Sequence, residues 1–490
     1  MFVATGAAVI LYVLQIFFWR VQGEDECKFV TKYIDVPLDH FSFTNNITFK
    51  LRYLVNDTFF GEDKPIYFYT GNEGDISMFA QNTGFMFDLA KKKGALIVFA
   101  EHRFYGKTLP FGNDSYASPK NLGYLSAQQA LADFVDLIND LQRQYVKDGS
   151  SLKKLPVIAF GGSYGGMLAS WLRIKYPYSV VGAIASSAPI WQFKGLTPCK
   201  NFYKITTDVV RNLGTEKCVQ TITKVWAALR NLTRTDKGKA NVSSQFQLCD
   251  VLKTNDDVET LIGWLEGVYV NIVMVNYPYP TSFLVPLPGN PVREICEQSD
   301  SVSYSDDEGL VNAITKGLQV YTNYTGTTKC NDLLHTASSS LGEKGWNFQS
   351  CTDMIMPMCK TDEDMFENAP WNFEEFSNSC FQQFSVRPRS EEVPILEFGG
   401  KDLATASNIV FSNGLLDPWS SGGVLTNISS EVLAVLIPNG AHHMDLRASN
   451  LLDGEDVKIA RNVHEREIDK WLAKFYLKNF ALPVELIRNL

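Results

Sequence analysis

Ser163, in the segment GGSYGG of residues 161–166, is the strongest candidate for a nucleophile in this chain. The pattern G-x-S-x-G is common by chance, but here it follows the apolar run PVIAF at 156–160 and precedes a helical pattern that ends before Pro177. A strand, a sharp turn and a helix in this order are typical of a nucleophile elbow, which exposes the serine hydroxyl at a helix N-terminus. The segment therefore predicts acyl transfer on Ser163, against a phosphate-binding turn or a plain connecting loop.

Such a serine needs a histidine as base and an acid that orients it, in the chain order Ser, Asp or Glu, His. Of six histidines, His442 and His443 follow an apolar run at 433–437 and the turn PNGA. Asp417 follows the preceding apolar run, in the segment NGLLDPW at 413–419. Neighbouring parallel strands would bring these residues to one edge of a sheet. We expect a triad of Ser163, Asp417 and His442, and spacing alone leaves His443 open as the base.

The elements that must position these residues alternate between strands and helices. Strands are predicted at 64–70, 95–100, 156–160, 180–186, 409–412 and 433–437, and helices at 79–93, 126–147, 164–176 and 455–475. This alternation predicts an α/β fold with a mostly parallel sheet. The stretch 191–399 breaks the pattern, so we expect a core of residues 24–190 and 400–490 that this insertion interrupts.

The cysteines support a separate character for the insertion. Eight of the nine lie inside it, and their number and spacing predict four disulfides rather than a zinc site: Cys199, Cys218, Cys249, Cys296, Cys330, Cys351, Cys359 and Cys380. The pairing is not fixed by the sequence, and Cys27 stands apart from the cluster.

The N-terminus predicts entry into the secretory pathway. Residues 2–19 carry no charge, and Val21-Gln22-Gly23 fits a signal-peptidase site, so residues 1–23 are expected to be a signal peptide, with an uncleaved anchor as the alternative. No later stretch is apolar enough to span a membrane. Seven sequons make a glycoprotein the expectation: Asn46, Asn56, Asn113, Asn231, Asn241, Asn323 and Asn427.

The charge and composition exclude other classes. The net charge is −9 at pH 7, which offers no footprint for nucleic acid, and the 45% hydrophobic content excludes global disorder. No motif indicates a metal or a cofactor, and we expect neither. The oligomeric state is open, a homodimer included.

Several longer segments resemble the S28 family of serine peptidases. They are TGNEGDI at 70–76, FAEHRFYGKTLPFG at 99–112, GGSYGGMLASWLR at 161–173, FSNGLLDPWSSGGV at 411–424 and GAHHMDLR at 440–447. The resemblance covers nearly all of the chain after the signal segment. It implies an α/β-hydrolase core under a mainly helical, disulfide-linked cap. It also implies triad roles for Ser163, Asp417 and His442, with His442 rather than His443 as the base.

The resemblance further implies a lysosomal or secreted enzyme that cleaves peptides after proline. One activity in the family releases a C-terminal residue, and another releases an N-terminal dipeptide. The segments PIWQF, TASSSLGEKGW, MIMPMC and CFQQFSVRPR resemble the carboxypeptidases more closely, whereas the segment at 276–292 leans toward the dipeptidyl peptidases. We expect the carboxypeptidase and keep the dipeptidyl peptidase as the alternative. A lipase or esterase, and a non-catalytic secreted binding protein, are more distant alternatives.

The remaining site residues are predicted from their place in the chain. The backbone N–H of Tyr164 and one from Gly71 or Asn72 are expected to form the oxyanion hole. Trp419 is the expected wall of a proline pocket, because the turn after Asp417 holds it nearby. Glu73 and Asp75 would bind a substrate amine or cap the next helix. Arg103 and Arg447 would bind a terminal carboxylate or form structural ion pairs with Glu101 and Asp445.

Overall fold

The computed structural model describes residues 28–147, 154–337, 341–389 and 393–479. The predicted signal peptide and Cys27 lie outside the described residues. No helix in the described ranges has the length and hydropathy that crossing a bilayer requires.

The centre of the molecule is an eight-stranded sheet with the order β1-β2-β4-β3-β5-β6-β7-β8. Strand β2 is antiparallel to both of its neighbours, and the other pairs are parallel. The strands are β1 Val30–Pro37, β2 Thr48–Asn56, β3 Ile66–Thr70, β4 Leu96–Ala100, β5 Val157–Gly162, β6 Gly182–Ser186, β7 Ile409–Gly414 and β8 Val432–Ile437. The mostly parallel α/β sheet is confirmed, and the β1–β2 hairpin adds to the strands that the sequence predicted.

Helices cover both faces of this sheet. Those that precede the insertion are α1 Ile76–Asn82, α2 Phe85–Lys93, α3 Pro119–Leu122, α4 Ala127–Tyr145 and α5 Tyr164–Lys175. The helices α6 Asn201–Leu213, α7 Glu216–Leu232, α8 Asp236–Gln245, α9 Asn255–Met274, α10 Pro291–Asp300, α11 Asp307–Thr322, α12 Glu343–Ser350, α13 Phe373–Phe384 and α14 Val393–Phe398 lie between β6 and β7. Helix α15 Glu455–Asn479 ends the described chain.

The prediction of one helix at 79–93 was wrong, because the chain forms α1 and α2 with a break at Thr83 and Gly84. Gly84 packs against Ala448, and a Cβ atom at position 84 would lie 2.4 Å from the Ala448 Cβ. The break lets the chain pass close to the loop that follows β8. Only the tertiary structure reveals this contact.

Strands β3 to β6 are buried along their whole length, as parallel strands covered on both faces must be. Their side chains alternate between two hydrophobic cores. On β3, for example, Ile66 and Phe68 face the core that contains α4 and α5, and Tyr67 and Tyr69 face the other.

Helices α6 to α14 fall within the insertion predicted at 191–399, and we call residues 191–399 the cap. The prediction of four disulfides among its eight cysteines is confirmed. The pairs are Cys199–Cys359, Cys218–Cys296, Cys249–Cys330 and Cys351–Cys380. Each of these links joins two residues of the cap.

The cap shares its hydrophobic interior with one face of the sheet. Tyr69 and Phe79 of the core belong to the same buried cluster as the cap helices α6, α7 and α9 to α11. The ring of Phe79 meets that of Phe283 in the cap edge to face, with 6.2 Å between centroids. The cap is therefore packed onto the sheet through a continuous apolar interior.

Candidate active site

Ser163 lies at the sharp turn between β5 and α5. Its backbone is strained, with φ 57° and ψ −130°, and its N–H donates to the carbonyl of Ser186 at 2.9 Å. The turn requires glycine at two positions. A Cβ at Gly161 would lie 2.0 Å from the Gly165 carbonyl oxygen, and one at Gly165 would lie 2.3 Å from Asn72 Oδ1. This is the geometry of a nucleophile elbow.

Asp417 and His442 follow the neighbouring strands β7 and β8. His442 Nδ1 lies 2.6 Å from Asp417 Oδ2, and both side chains are almost fully buried. The second carboxylate oxygen, Asp417 Oδ1, accepts the N–H of Trp419 at 3.1 Å. The hydrogen bonds of the described residues include none between Ser163 and His442, but both residues line one pocket. Hydrogen bonds of this kind often tighten only when substrate binds.

The cap holds the backbone of His442 on both sides. The N–H of His442 donates to the carbonyl of Met274 at 3.0 Å, and the hydroxyl of Tyr277 donates to the carbonyl of His442 at 2.9 Å. Met274 ends α9, and Tyr277 follows it. The position of the histidine therefore depends on the cap as well as on the sheet.

The adjacent His443 is placed differently. Its ring packs edge to face on Phe283 with 5.3 Å between centroids, and its N–H donates to Ser187 Oγ at 2.8 Å. Burial, together with the neighbouring His442, lowers the pKa of His443 well below its usual value. His443 is thus a neutral group, and the Asp417 carboxylate orients His442.

The pocket in front of Ser163 is largely apolar. Its volume is about 610 Å³ with its open mouth included. The cap contributes one wall, with Phe283, Leu284, Trp346 and Met356, and Met167 and Trp419 come from the core. Trp419 lines the same pocket as Ser163, and its ring is held edge to face against Phe202, with 4.9 Å between centroids.

The loop after β3 lies beside the elbow. The Nδ2 of Asn72 donates to the Gly162 carbonyl at 2.7 Å, and its Oδ1 accepts the Tyr69 hydroxyl at 2.8 Å. Asn72 and Tyr164 line the pocket, whereas Gly71 packs against the Ala100 carbonyl at the end of β4. The Asn72 amide therefore ties this loop to the elbow.

Glu73 brings a carboxyl group into the same pocket. Burial raises the pKa of Glu73, and its own backbone N–H, the nearby His442 and the Asn72 side chain each lower it to a smaller extent. Its Oε2 atom is shielded from solvent and has no hydrogen-bond partner among the described residues.

Three other predicted ligands are engaged elsewhere. Asp75 caps α1 through the N–H of Ser77 and pairs with Arg52 at 2.7 Å. Arg103 is fully buried and bound by both carboxylate oxygens of Asp133 at 2.7 Å each. Asp75 thus caps the helix as the alternative had it, whereas Arg103 pairs with Asp133 and not with the expected Glu101.

Arg447 also lies apart from the residues that line the pocket. Its guanidinium stacks on the ring of Tyr277 at 4.3 Å and donates to Thr281 Oγ1 at 3.0 Å. Its sequence neighbour Asp445 pairs instead with His464 at 2.7 Å.

Sequence reasoning missed a buried polar network that joins the cap to the elbow. The Tyr164 hydroxyl accepts Gln349 Nε2 at 2.9 Å and lies 3.0 Å from His102 Nε2. Gln349 comes from α12 of the cap, and it also accepts the hydroxyl of Tyr105. Burial lowers the pKa of His102 to about 4. No local pattern marks Gln349, because its partners lie far away in the chain.

The sequons differ in exposure. Asn56 is 2% exposed on β2, and its Nδ2 donates to the Lys28 carbonyl at 2.9 Å, which disfavours a glycan there. The other six are exposed or partly exposed and stay predictions: Asn46, Asn113, Asn231, Asn241, Asn323 and Asn427. In the part of the chain that the structure describes, no three His, Cys, Asp or Glu side chains form a metal-binding cluster.

Comparison with known proteins gives a consistent picture. The family model of serine carboxypeptidase S28 matches residues 36–464. The lysosomal Pro-X carboxypeptidase of Bos taurus is 47% identical over 453 residues, covering 92% of this chain and 89% of that protein. The Homo sapiens enzyme of the same name is 46% identical, covering 91% and 88%. The prolyl carboxy peptidase like protein 5 of Caenorhabditis elegans is 41% identical, covering 91% and 90%.

Proposed function

Because the chain belongs to the serine carboxypeptidase S28 family, we propose that it cleaves peptides after a penultimate proline and releases the C-terminal residue. The observation that carries the proposal is the Asp417–His442 pair in one pocket with the strained Ser163. The relatives that share 46–47% identity with this chain are named for the same activity.

The proposed mechanism begins with attack by Ser163 Oγ on the carbonyl carbon of the proline. His442 Nε2 takes the hydroxyl proton, and Asp417 orients the ring and stabilises its positive charge. The N–H of Tyr164 and a backbone N–H of the loop at 71–74 stabilise the oxyanion. Collapse of the intermediate breaks the C–N bond, and the departing amine takes the proton from His442. Water, activated by the same histidine, then hydrolyses the acyl-enzyme.

The pocket suits a proline side chain. Proline at this position is compact and apolar, and its nitrogen carries no N–H in a peptide. Four pocket side chains offer an apolar surface: Met167, Trp346, Met356 and Trp419. The hydrogen-bond donors among these four are the two indole N–H groups. We propose that these four side chains receive the proline ring.

The compartment follows from the disulfides and from the relatives. Four disulfides form in oxidising compartments, which places the chain in the secretory pathway. The relatives are named lysosomal, and we propose the lysosome or the secreted medium for this chain.

One observation favours a second candidate activity. If Glu73 is ionised, its carboxylate in the pocket would bind the N-terminal ammonium of a peptide, as a dipeptidyl peptidase requires. Glu73 therefore makes release of an N-terminal dipeptide the alternative.

Two peptides separate these activities. The first has a blocked N-terminus and ends in Pro-Phe with a free carboxylate, and the second is Lys-Pro linked to a fluorophore with a free amine. At pH 5 and pH 7 we expect phenylalanine release from the first peptide only, and none by Ser163→Ala. Turnover of the second peptide alone would replace the proposal by the dipeptidyl peptidase, and turnover of neither would refute proline-specific cleavage.

A further inference from the structure

A carboxypeptidase must recognise the carboxylate at the end of its substrate, which lies one residue beyond the scissile bond. Such a group needs hydrogen-bond donors in an otherwise apolar site. The described residues that line the pocket include neither lysine nor arginine. The arginines that the sequence suggested lie outside that lining, since Arg103 is bound by Asp133 and Arg447 stacks on the ring of Tyr277. The hydrogen-bond donors of the pocket lining therefore belong to other kinds of side chain.

Glu73 is held at the pocket by its backbone. Its carbonyl accepts the N–H of Gly342 in the cap at 2.7 Å, and the next residue, Gly74, forms an antiparallel bridge with Leu341. The loop is thus fixed between core and cap. The Oε2 atom of Glu73 is shielded from solvent and has no hydrogen-bond partner among the described residues. This oxygen therefore has unused hydrogen-bonding capacity.

Burial favours the neutral form of Glu73, and titratable groups from several elements surround its side chain. They are His442 after β8, Tyr69 on β3, Tyr105 after β4 and Tyr164 at the start of α5. Burial raises the pKa of each of these tyrosines, so they stay uncharged. Burial raises the pKa of Glu73 more than its backbone N–H, His442 and the Asn72 side chain together lower it.

We propose that Glu73, in its protonated form, donates a hydrogen bond to the C-terminal carboxylate of the peptide and thereby selects substrates with a free C-terminus. This inference rests on the proposed carboxypeptidase function. A protonated carboxyl has one O–H donor, whereas its ionised form has only acceptors and repels a second carboxylate. Recognition of the free terminus should then weaken as pH rises through the pKa of Glu73.

The sign of the pH effect follows from linkage. Binding of the carboxylate raises the pKa of Glu73, because the bound anion favours the protonated side chain. The affinity is therefore fully present below the pKa of the free site. It falls by up to about tenfold for each pH unit above that pKa, since binding must then be accompanied by uptake of one proton.

The test is a binding measurement in the Ser163→Ala background, where no turnover occurs. A blocked peptide ending in Pro-Phe is compared with the same peptide ending in Pro-Phe amide, by titration calorimetry from pH 4.5 to pH 8. The ratio of the two Kd values isolates recognition of the carboxylate. We expect the preference for the acid to fall steeply with pH in Ser163→Ala. In Ser163→Ala/Glu73→Gln, which keeps an N–H donor without a titrating proton, the preference should become independent of pH.

Glu62→Gln in the same background is the matched control, because Glu62 is exposed and pairs with Lys147 on the surface. The Glu62→Gln variant should keep the steep fall with pH in the preference for the free-acid peptide. Binding of the amide peptide reports whether each variant has a folded pocket.

A steep profile that persists in the Glu73→Gln variant would assign the effect to His442 and overturn the inference. Equal binding of acid and amide at every pH, or binding of neither peptide, would also overturn it. The proposed function is judged separately, by phenylalanine release from the free-acid peptide by the unmodified enzyme. Release without a Glu73 effect refutes only the inference, and no release refutes the function whatever the binding data show.

Discussion

At the scale of single residues, the site depends on which of two adjacent histidines is hydrogen-bonded to Asp417. His442 and His443 are neighbours in the chain, with ring centroids 4.5 Å apart, but only His442 lies within hydrogen-bond distance of Asp417. Asp417 has a second task, because its other oxygen accepts the N–H of Trp419 and so fixes a wall of the pocket. One carboxylate thus orients both the proposed base and the substrate surface.

Asp417→Asn should separate these two tasks. An asparagine oxygen can still accept from Trp419, but the negative charge that stabilises protonated His442 is lost. We expect kcat to fall by about 10⁴-fold, the loss typical of this change in a triad, with KM nearly unchanged. Steady-state kinetics on the free-acid Pro-Phe peptide provide the measurement. A loss below tenfold would show that Asp417 is not the orienting acid.

At the scale of elements, the cap takes part in building the site. The end of α9 and Tyr277 hold the backbone of His442, while Gln349 of α12 holds the hydroxyl of Tyr164 beside the elbow. These contacts fix the pocket wall relative to the nucleophile. The cap is therefore a structural part of the site as well as its cover.

Tyr277→Phe tests whether the hydrogen bond from the Tyr277 hydroxyl positions His442. The substitution removes one buried hydrogen bond but keeps the ring on which Arg447 stacks. The free energy of unfolding should fall by about 1 to 2 kcal/mol. We expect kcat to fall several-fold and KM to change less than kcat. Kinetics and denaturant unfolding give the two numbers. Tyr279→Phe is the matched control, since the Tyr279 hydroxyl has no partner among the described residues. Equal effects of the two variants would contradict a positioning role for Tyr277.

The buried carboxyl group of Asp353, just after α12, should make the stability of the fold depend on pH. Its Oδ2 accepts the N–H of Ala127 at the start of α4, and burial raises the pKa of Asp353 from 3.8 to about 6. Between these two values the folded state binds more protons than the unfolded state, so the free energy of unfolding rises as pH falls from about 6 toward 4. The upper limit of this gain is roughly 3 kcal/mol.

Thermal unfolding at pH 4.5 and pH 7 provides the measurement. Other groups titrate as well, so the informative quantity is the difference in Tm change between the unmodified enzyme and the Asp353→Asn variant. We expect Asp353→Asn to reduce the rise in Tm on acidification, because asparagine cannot take up a proton. An unchanged rise would show that Asp353 is already protonated at neutral pH or is paired in a way that cancels the effect of burial.

At the scale of the whole molecule, the apolar interior runs without a break from the sheet into the cap. Each of the four disulfides links two cap residues, so the apolar interior and the hydrogen bonds between cap and core hold the cap onto the sheet. The cross-links therefore stabilise the internal arrangement of the cap, including the segments that contact His442 and Tyr164.

The Cys199–Cys359 link should be the most consequential of the four, since its partners are 160 residues apart. In the loop-entropy view, removing it costs about 5 kcal/mol, against about 3 to 4 kcal/mol for Cys351–Cys380, whose partners are 29 residues apart. Double serine variants of each pair, compared by thermal inactivation at a fixed heating rate, test the order. A more labile Cys351→Ser/Cys380→Ser variant would show that local packing around Cys351 outweighs chain entropy.

The sequence predicted those parts of the molecule that local patterns encode. The elbow shows in the glycines around Ser163, and the buried parallel strands show as continuous apolar runs. The β1–β2 hairpin was not predicted because its first strand is largely exposed and carries polar residues, as on an ordinary surface loop. The contacts of Gly84 with Ala448 and of Gln349 with Tyr164 depend on residues far apart in the chain, so no spacing could have indicated them.

The arrangement of the cross-links has a consequence for proteolytic maturation. Ser163 lies before the cap in the chain, whereas Asp417 and His442 follow it. Any single cut between Cys199 and Cys359 would put the proposed nucleophile and its base on different polypeptides, still joined covalently by that pair. The exposed turn at residues 324–329 is one such place. A nicked two-chain enzyme would then migrate as one species on a non-reducing gel and as two after reduction, with its active centre assembled from both chains.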